Sequence, residues 1–278
     1  MLLKNLLDRA QQGDRYFRWR GGDVSRLEAL TDAVFALALT LLVVSLEVPT
    51  TFAELKAAFF LLPAFAICFA LLLYVWVSHF RFHRRYGLED GLTVTLNGVL
   101  LFLVLGYVYP LKFLFYWLWT QFGLADPLAS QVFSSQGEIQ LLMVAYGLGV
   151  AALFGTLWLL NFLAWRHRDA LQLTPVERAL TRGTMSEHAI TVGIAVLSVL
   201  IASWSESSGG FAGMIYFLMP ICQGLNGWRN GVKVEAIAKQ EAKSLAAAEA
   251  STLLAPDPAT ESPADSSLPP ADSSKPLD

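Results

Sequence analysis

The side chains able to do chemistry in this sequence are polar groups set inside long apolar runs. Arg26, Glu28, Thr31 and Asp32 crowd the start of the first run, and Thr40 follows in an otherwise apolar stretch. His79 closes the second run beside Trp76 and Ser78, Asn97 lies one turn into the third, and Lys112 sits toward its far end. At membrane depth a polar or charged group is costly unless it is paired or faces a wet cavity, so each marks a candidate site. Asp32 is the most informative. About one turn inside the apolar edge, its carboxylate either has a partner such as Arg26, His79 or a backbone amide, or caps and orients the helix near the interface. Asn97 calls for interhelical hydrogen bonds. Lys112 can snorkel its ammonium to the interface. His79 reads as an interfacial or hydrogen-bonded residue.

The first run also carries a stripe. At about 100° per residue, Ala33, Leu37, Thr40 and Val44 fall within about 60° of one helix face, and Leu37 to Val44 rises about 10 Å. Small and branched side chains suit a helix–helix contact face. The same stripe, repeated around a symmetry axis, would instead stack narrow Leu and Val rings with a Thr hydroxyl ring between them, a pore lining. Periodicity leaves both readings open.

Other chemistries are poorly represented. Four scattered histidines, with no Cys or carboxylate cluster at ligand spacing, predict no metal site. Cys68 and Cys222 lie in apolar runs and read as packing residues. Thr191-Val192-Gly193-Ile194 matches part of a carbonyl selectivity filter, but no Tyr-Gly follows and no pore-loop helix precedes it, so it reads as a chance match. No Walker motif, nucleophile elbow, zincin helix or dinucleotide fingerprint occurs, and an enzyme is not expected. Neither a cofactor nor a nucleic-acid partner is expected.

The elements that must position these groups are membrane helices. Of the 278 residues, 55% are hydrophobic and 15% charged, with a mean hydropathy of +0.48, well toward the membrane class. Apolar segments at about 29–48, 57–79, 92–118, 138–165, 187–204 and 211–228 each approach the roughly 20 residues that cross a bilayer. The last is rich in Gly and interrupted by Pro220. No cleavable signal is expected, because the opening apolar stretch gives way to an arginine-rich one.

Basic residues alternate along the connections. Arg15, Arg18, Arg20 and Arg26 precede the first run, Arg81, Arg84 and Arg85 follow the second, Arg166 and Arg168 follow the fourth, and Arg229 and Lys233 follow the sixth. The opposite connections are nearly bare of Lys and Arg, which predicts cytoplasmic termini in a multi-pass cell (inner) membrane protein. The expected organisation is a cytoplasmic segment 1–28, a six-helix transmembrane domain 29–233 and a cytoplasmic, mostly disordered tail 234–278 rich in Ala, Pro, Ser and Asp. The fold class is all-α.

The run from Arg26 through Leu42, with Arg26 and Asp32 at their particular spacing, resembles the opening helix of the transmembrane-protein-175 family, potassium channels of endosomes and lysosomes and their prokaryotic relatives. That family's pattern is Arg, three residues, then Phe-Ser-Asp; here Leu30 stands for Phe and Thr31 for Ser. The likeness extends to Trp76 and His79 at the end of the second run and to Asp90 through Asn97 at the start of the third. A single six-span unit resembles the prokaryotic branch, a homotetramer, rather than the animal branch of two fused units. The resemblance implies that the first helices line a central pore, with Leu37, Thr40 and Val44 as gate and filter layers. It implies a structural polar cluster of Arg26, Thr31 and Asp32 with His79 and Asn97 as partners, and potassium as the permeant ion. The runner-up is a secondary or proton-coupled transporter using Asp32 and His79 as a relay; a membrane-embedded enzyme and a non-conducting scaffold are further rivals.

Overall fold

The computed structural model describes residues 16–44, 50–121, 133, 135–205 and 208–254, and among these every regular element is helical. The chain divides into two units, Met1–Ala238 and Lys239–Asp278. The first contains α1 (Arg26–Val44), α2 (Phe52–Tyr86), α3 (Gly91–Gln121), α4 (Gln136–Arg166), α5 (Pro175–Ala202) and α6 (Gly209–Met214). A single 3-10 turn, Ile215–Phe217, then leads into α7 (Leu218–Leu254). Of the second unit, only the final turns of that last helix are described, and the expected tail beyond 254 lies outside the described residues.

Four helices among the described residues, α2 to α5, are long and apolar enough to cross a membrane. The first apolar run forms α1 up to Val44, and the rest of its expected span, 45–48, lies outside the described residues. The expected sixth span is interrupted rather than continuous. α6, the 3-10 turn and α7 divide it, and Pro220 falls in the first turn of α7, where a proline's missing N–H costs no helical bond.

Helix ends are set by local chemistry. α2 opens with a capping box, in which the Thr51 hydroxyl accepts from the Glu54 amide while Glu54 reaches back to the Thr51 amide. It closes at Gly87, whose φ of 59° is a left-handed cap that donates to His83. This helix runs a full two turns past the apolar segment ending at 79, carrying His83, Arg84 and Arg85 on its last turns. α5 begins twelve residues before its apolar segment, because Thr174-Pro175-Val176-Glu177 is a second capping box with proline at the first position.

The core lies between α1 to α4. Phe35, Ala38 and Leu42 of α1 share one buried cluster with Leu72 of α2, Leu100 and Val104 of α3 and Leu157 of α4. Residues 16–25 run over the end of α2. The amides of Arg20 and Gly21 both donate to the Arg84 carbonyl at 3.1 Å, and Arg84 returns a bond to the Gly22 carbonyl at 2.8 Å. A Cβ on Gly21 would stand 2.7 Å from the His83 carbonyl oxygen, so the close approach requires glycine. Phe17 then enters the core edge-on to Tyr86 at 5.5 Å.

Candidate functional site: the first helix and its polar neighbours

α1 has two faces. Thr31, Phe35, Ala38 and Leu42 are buried against α2 and α3, while Ala33, Leu37 and Thr40 are exposed on the other side. This exposed stripe is the one marked out by helical geometry. Leu37 keeps 51% of its surface accessible, a large exposure for a leucine in the middle of an apolar helix. The Thr40 hydroxyl donates to the Ala36 carbonyl at 2.8 Å. Its proton is thereby committed to its own helix, and the oxygen's lone pairs remain available as acceptors. Val44 ends α1, and its side chain lies outside the described residues.

The polar residues separate into two groups. Thr31 and Asn97 are both fully buried; the Thr31 hydroxyl donates to the Leu27 carbonyl at 2.8 Å and accepts from the Asn97 amide at 2.9 Å. The Thr31–Asn97 pair therefore ties α1 to α3. His79 of α2 is buried as well and packs its ring 4.4 Å from that of His83. Asp32 turns away from this group. Its carboxylate accepts from the Trp76 indole N–H at 2.8 Å, so its partner is a tryptophan rather than Arg26 or His79. Arg26 is exposed at the first position of α1 and forms no ion pair among the described residues. A direct Asp32–His79 relay has no bonded link here.

The opening of α3 is fixed beside the Thr31–Asn97 pair. The Thr93 hydroxyl donates to the Asp90 carboxyl and holds it below the usual carboxylate range. Asn97 stands on the next turns of the same helix. Asn97→Leu is expected to destabilise the protein by about 1–2 kcal/mol, because it removes the interhelical bond to the buried Thr31 hydroxyl. Denaturant unfolding of the purified protein checks this, and an unchanged midpoint would remove the pair's tying role.

Sequence reasoning missed one charged site. Glu177 is 1% exposed and receives the Arg20 guanidinium at 2.9 and 2.7 Å, together with the Arg18 amide at 2.8 Å. Arg20 also donates to the Leu171 carbonyl at 2.9 Å. Its signal is the Thr174-Pro175-Val176-Glu177 capping box, which lies upstream of the apolar segment 187–204.

A chain whose described elements are all helical, with several bilayer-length apolar helices and polar groups bonded between them, is a multi-pass membrane protein. The family model of the endosomal/lysosomal potassium channel TMEM175 matches residues 26–107, from the start of α1 through most of α3. A potassium channel of Marivirga tractuosa is 38% identical over 212 residues, 73% of this chain and 85% of the relative. A potassium channel of Chamaesiphon minutus is 35% identical over 96 residues, 32% of this chain and 47% of that protein. Among solved structures, a variant of the potassium channel MtTMEM175, crystallised with a nanobody–MBP fusion, superposes with a TM-score of 0.68. It is 35% identical, and the match covers 78% of this chain and 97% of that one. The chain belongs to the TMEM175 family.

Proposed function

We propose that this protein is a potassium channel that carries the ion down its electrochemical gradient through a pore lined by α1. The observation that carries this reading is the sidedness of α1. One face is fully committed to the core, while Leu37 and Thr40 stand exposed on the face that helical geometry singles out. In a homotetramer these faces would meet around an axis, with Leu37, Thr40 and Val44 as successive rings. Its relatives are named potassium channels, which supports the same ion here.

An apolar ring admits an ion only when the ion sheds water, and potassium dehydrates at lower cost than sodium. The lone pairs of the Thr40 ring supply acceptors between the apolar layers. Thr31, His79 and Asn97 then act structurally, holding α1 at a fixed angle, with Asp32 and Arg26 orienting its cytoplasmic end. The reading includes six membrane passages, cytoplasmic termini, a cell-membrane location and the segments 1–28, 29–233 and 234–278. It includes no catalytic residue and no cofactor.

Purified protein in liposomes is expected to pass potassium passively, faster than sodium, and to run at the mass of a tetramer. Uptake against a gradient, or a folded protein without flux, would overturn the channel reading.

A further inference from the structure

Away from α1, a polar cavity of about 420 Å³ lies between α2, α4, α5 and α7. Its walls carry Arg81, Glu187, His188, Gln223, Asn226 and Asn230. His188 is 1% exposed, and neither ring nitrogen has a hydrogen-bond partner. A buried imidazole left in that condition requires something in the cavity to bond with.

The other walls are partly committed, and what they leave over has two signs. The Tyr74 hydroxyl donates to one oxygen of Glu187, leaving the second available. Asn226 accepts through its carbonyl oxygen from Ser186 at 2.9 Å and from Asn230 at 3.1 Å, leaving its NH₂ donors unused. Gln223 donates to the Glu187 carbonyl and to Thr191, leaving its own carbonyl oxygen. Arg81 has no ion pair among the described residues, and Arg85, one turn on, donates to Thr184. The cavity thus offers cationic and amide donors together with a carboxylate and amide acceptors.

A purely anionic ligand would face Glu187, and a purely cationic one would face two arginines. A ligand carrying both signs satisfies the whole lining. The cavity also lies where three apolar segments end, at 79, 187 and 228, which is the level of lipid head groups. We propose that this cavity binds a zwitterionic phosphate with a primary amine. Arg81 and the Asn226 amide hold the phosphate, Glu187 and the Gln223 carbonyl hold the ammonium, and His188 supplies a further bond. The chemistry is that of an ethanolamine phospholipid head group or of free phosphoethanolamine.

Native mass spectrometry of the delipidated full chain tests this with phosphatidylethanolamine, phosphatidylcholine and phosphatidylglycerol, and with soluble phosphoethanolamine. Phosphatidylcholine lacks the N–H donors, and phosphatidylglycerol lacks the amine. The ethanolamine lipid is expected to bind roughly tenfold more tightly than either, as loss of one charge-assisted hydrogen bond implies. Glu187→Gln is expected to abolish that preference, and Arg81→Gln to weaken the binding of all three lipids alike. Binding of phosphoethanolamine without the lipid would identify the soluble source of the same chemistry. Equal retention of all three lipids with no binding of phosphoethanolamine would overturn the proposal, as would an unchanged preference in folded Glu187→Gln, and the cavity would then hold water alone. If a variant does not fold, the wild-type head-group comparison decides.

Discussion

Glu177→Ala is expected to cost about 3–5 kcal/mol of stability, a large share of the roughly 5–15 kcal/mol typical of a folded domain. The carboxylate is 1% exposed and takes two bonds from the Arg20 guanidinium, whose side chain is itself only 16% exposed. Removing it strands a half-buried cation against the Leu171 and Gln172 carbonyls, and leaves the Arg18 and Thr174 amides without an acceptor. The α5 capping box is lost in the same stroke. Glu177→Gln is the informative comparison. Glutamine can still cap the helix, so its loss is expected to be clearly smaller, and the difference reports the value of the charge. Arg20→Ala should fall close to Glu177→Ala, and the double variant should be less than additive because both break one interaction. Thermal unfolding in a single detergent checks all four. A Glu177→Ala protein within about 1 kcal/mol of the parent would show that the pair contributes little beyond its desolvation cost.

What the sequence made legible divides along physical lines. Hydropathy located the long apolar helices, because a bilayer-length run is a property of consecutive residues and needs no partner. The α1 stripe was legible for a related reason, since periodicity alone places Ala33, Leu37 and Thr40 on one face. Which face is buried was not legible. It depends on Phe35, Ala38 and Leu42 finding Leu100 and Val104 across the chain. Pairings of polar groups were legible only as needs. Asp32 required a donor, and the nearby cations drew attention, yet the indole of Trp76 occupies the position one helix away. Helix starts were misjudged where capping boxes extend them into water, as at Thr174, because hydropathy marks the apolar segment and not the helix.

Leu37→Asn is expected to raise passive cation flux and to collapse the preference for potassium over sodium, by roughly tenfold in the ratio of the two ions. Leu37 contributes nothing essential to the core of its own chain, so an isosteric polar change there should leave the fold intact. If the residue forms an apolar ring, its barrier is the cost of stripping water from the ion, and that cost separates potassium from sodium. An asparagine ring holds water in the constriction and lowers the barrier for both ions, but more for the one that dehydrates at greater cost. Flux therefore rises while discrimination falls. A wider pore from loosened packing would also raise flux, so a control is needed at an equally apolar, exposed leucine elsewhere. Leu200 on α5 is 62% exposed and serves that purpose. Leu200→Asn is expected to leave the ion ratio unchanged. Paired potassium and sodium fluxes from the same liposome preparation decide the matter. If Leu37→Asn leaves both rate and ratio where they were, α1 packs against a neighbour through this stripe and the pore lies on another helix.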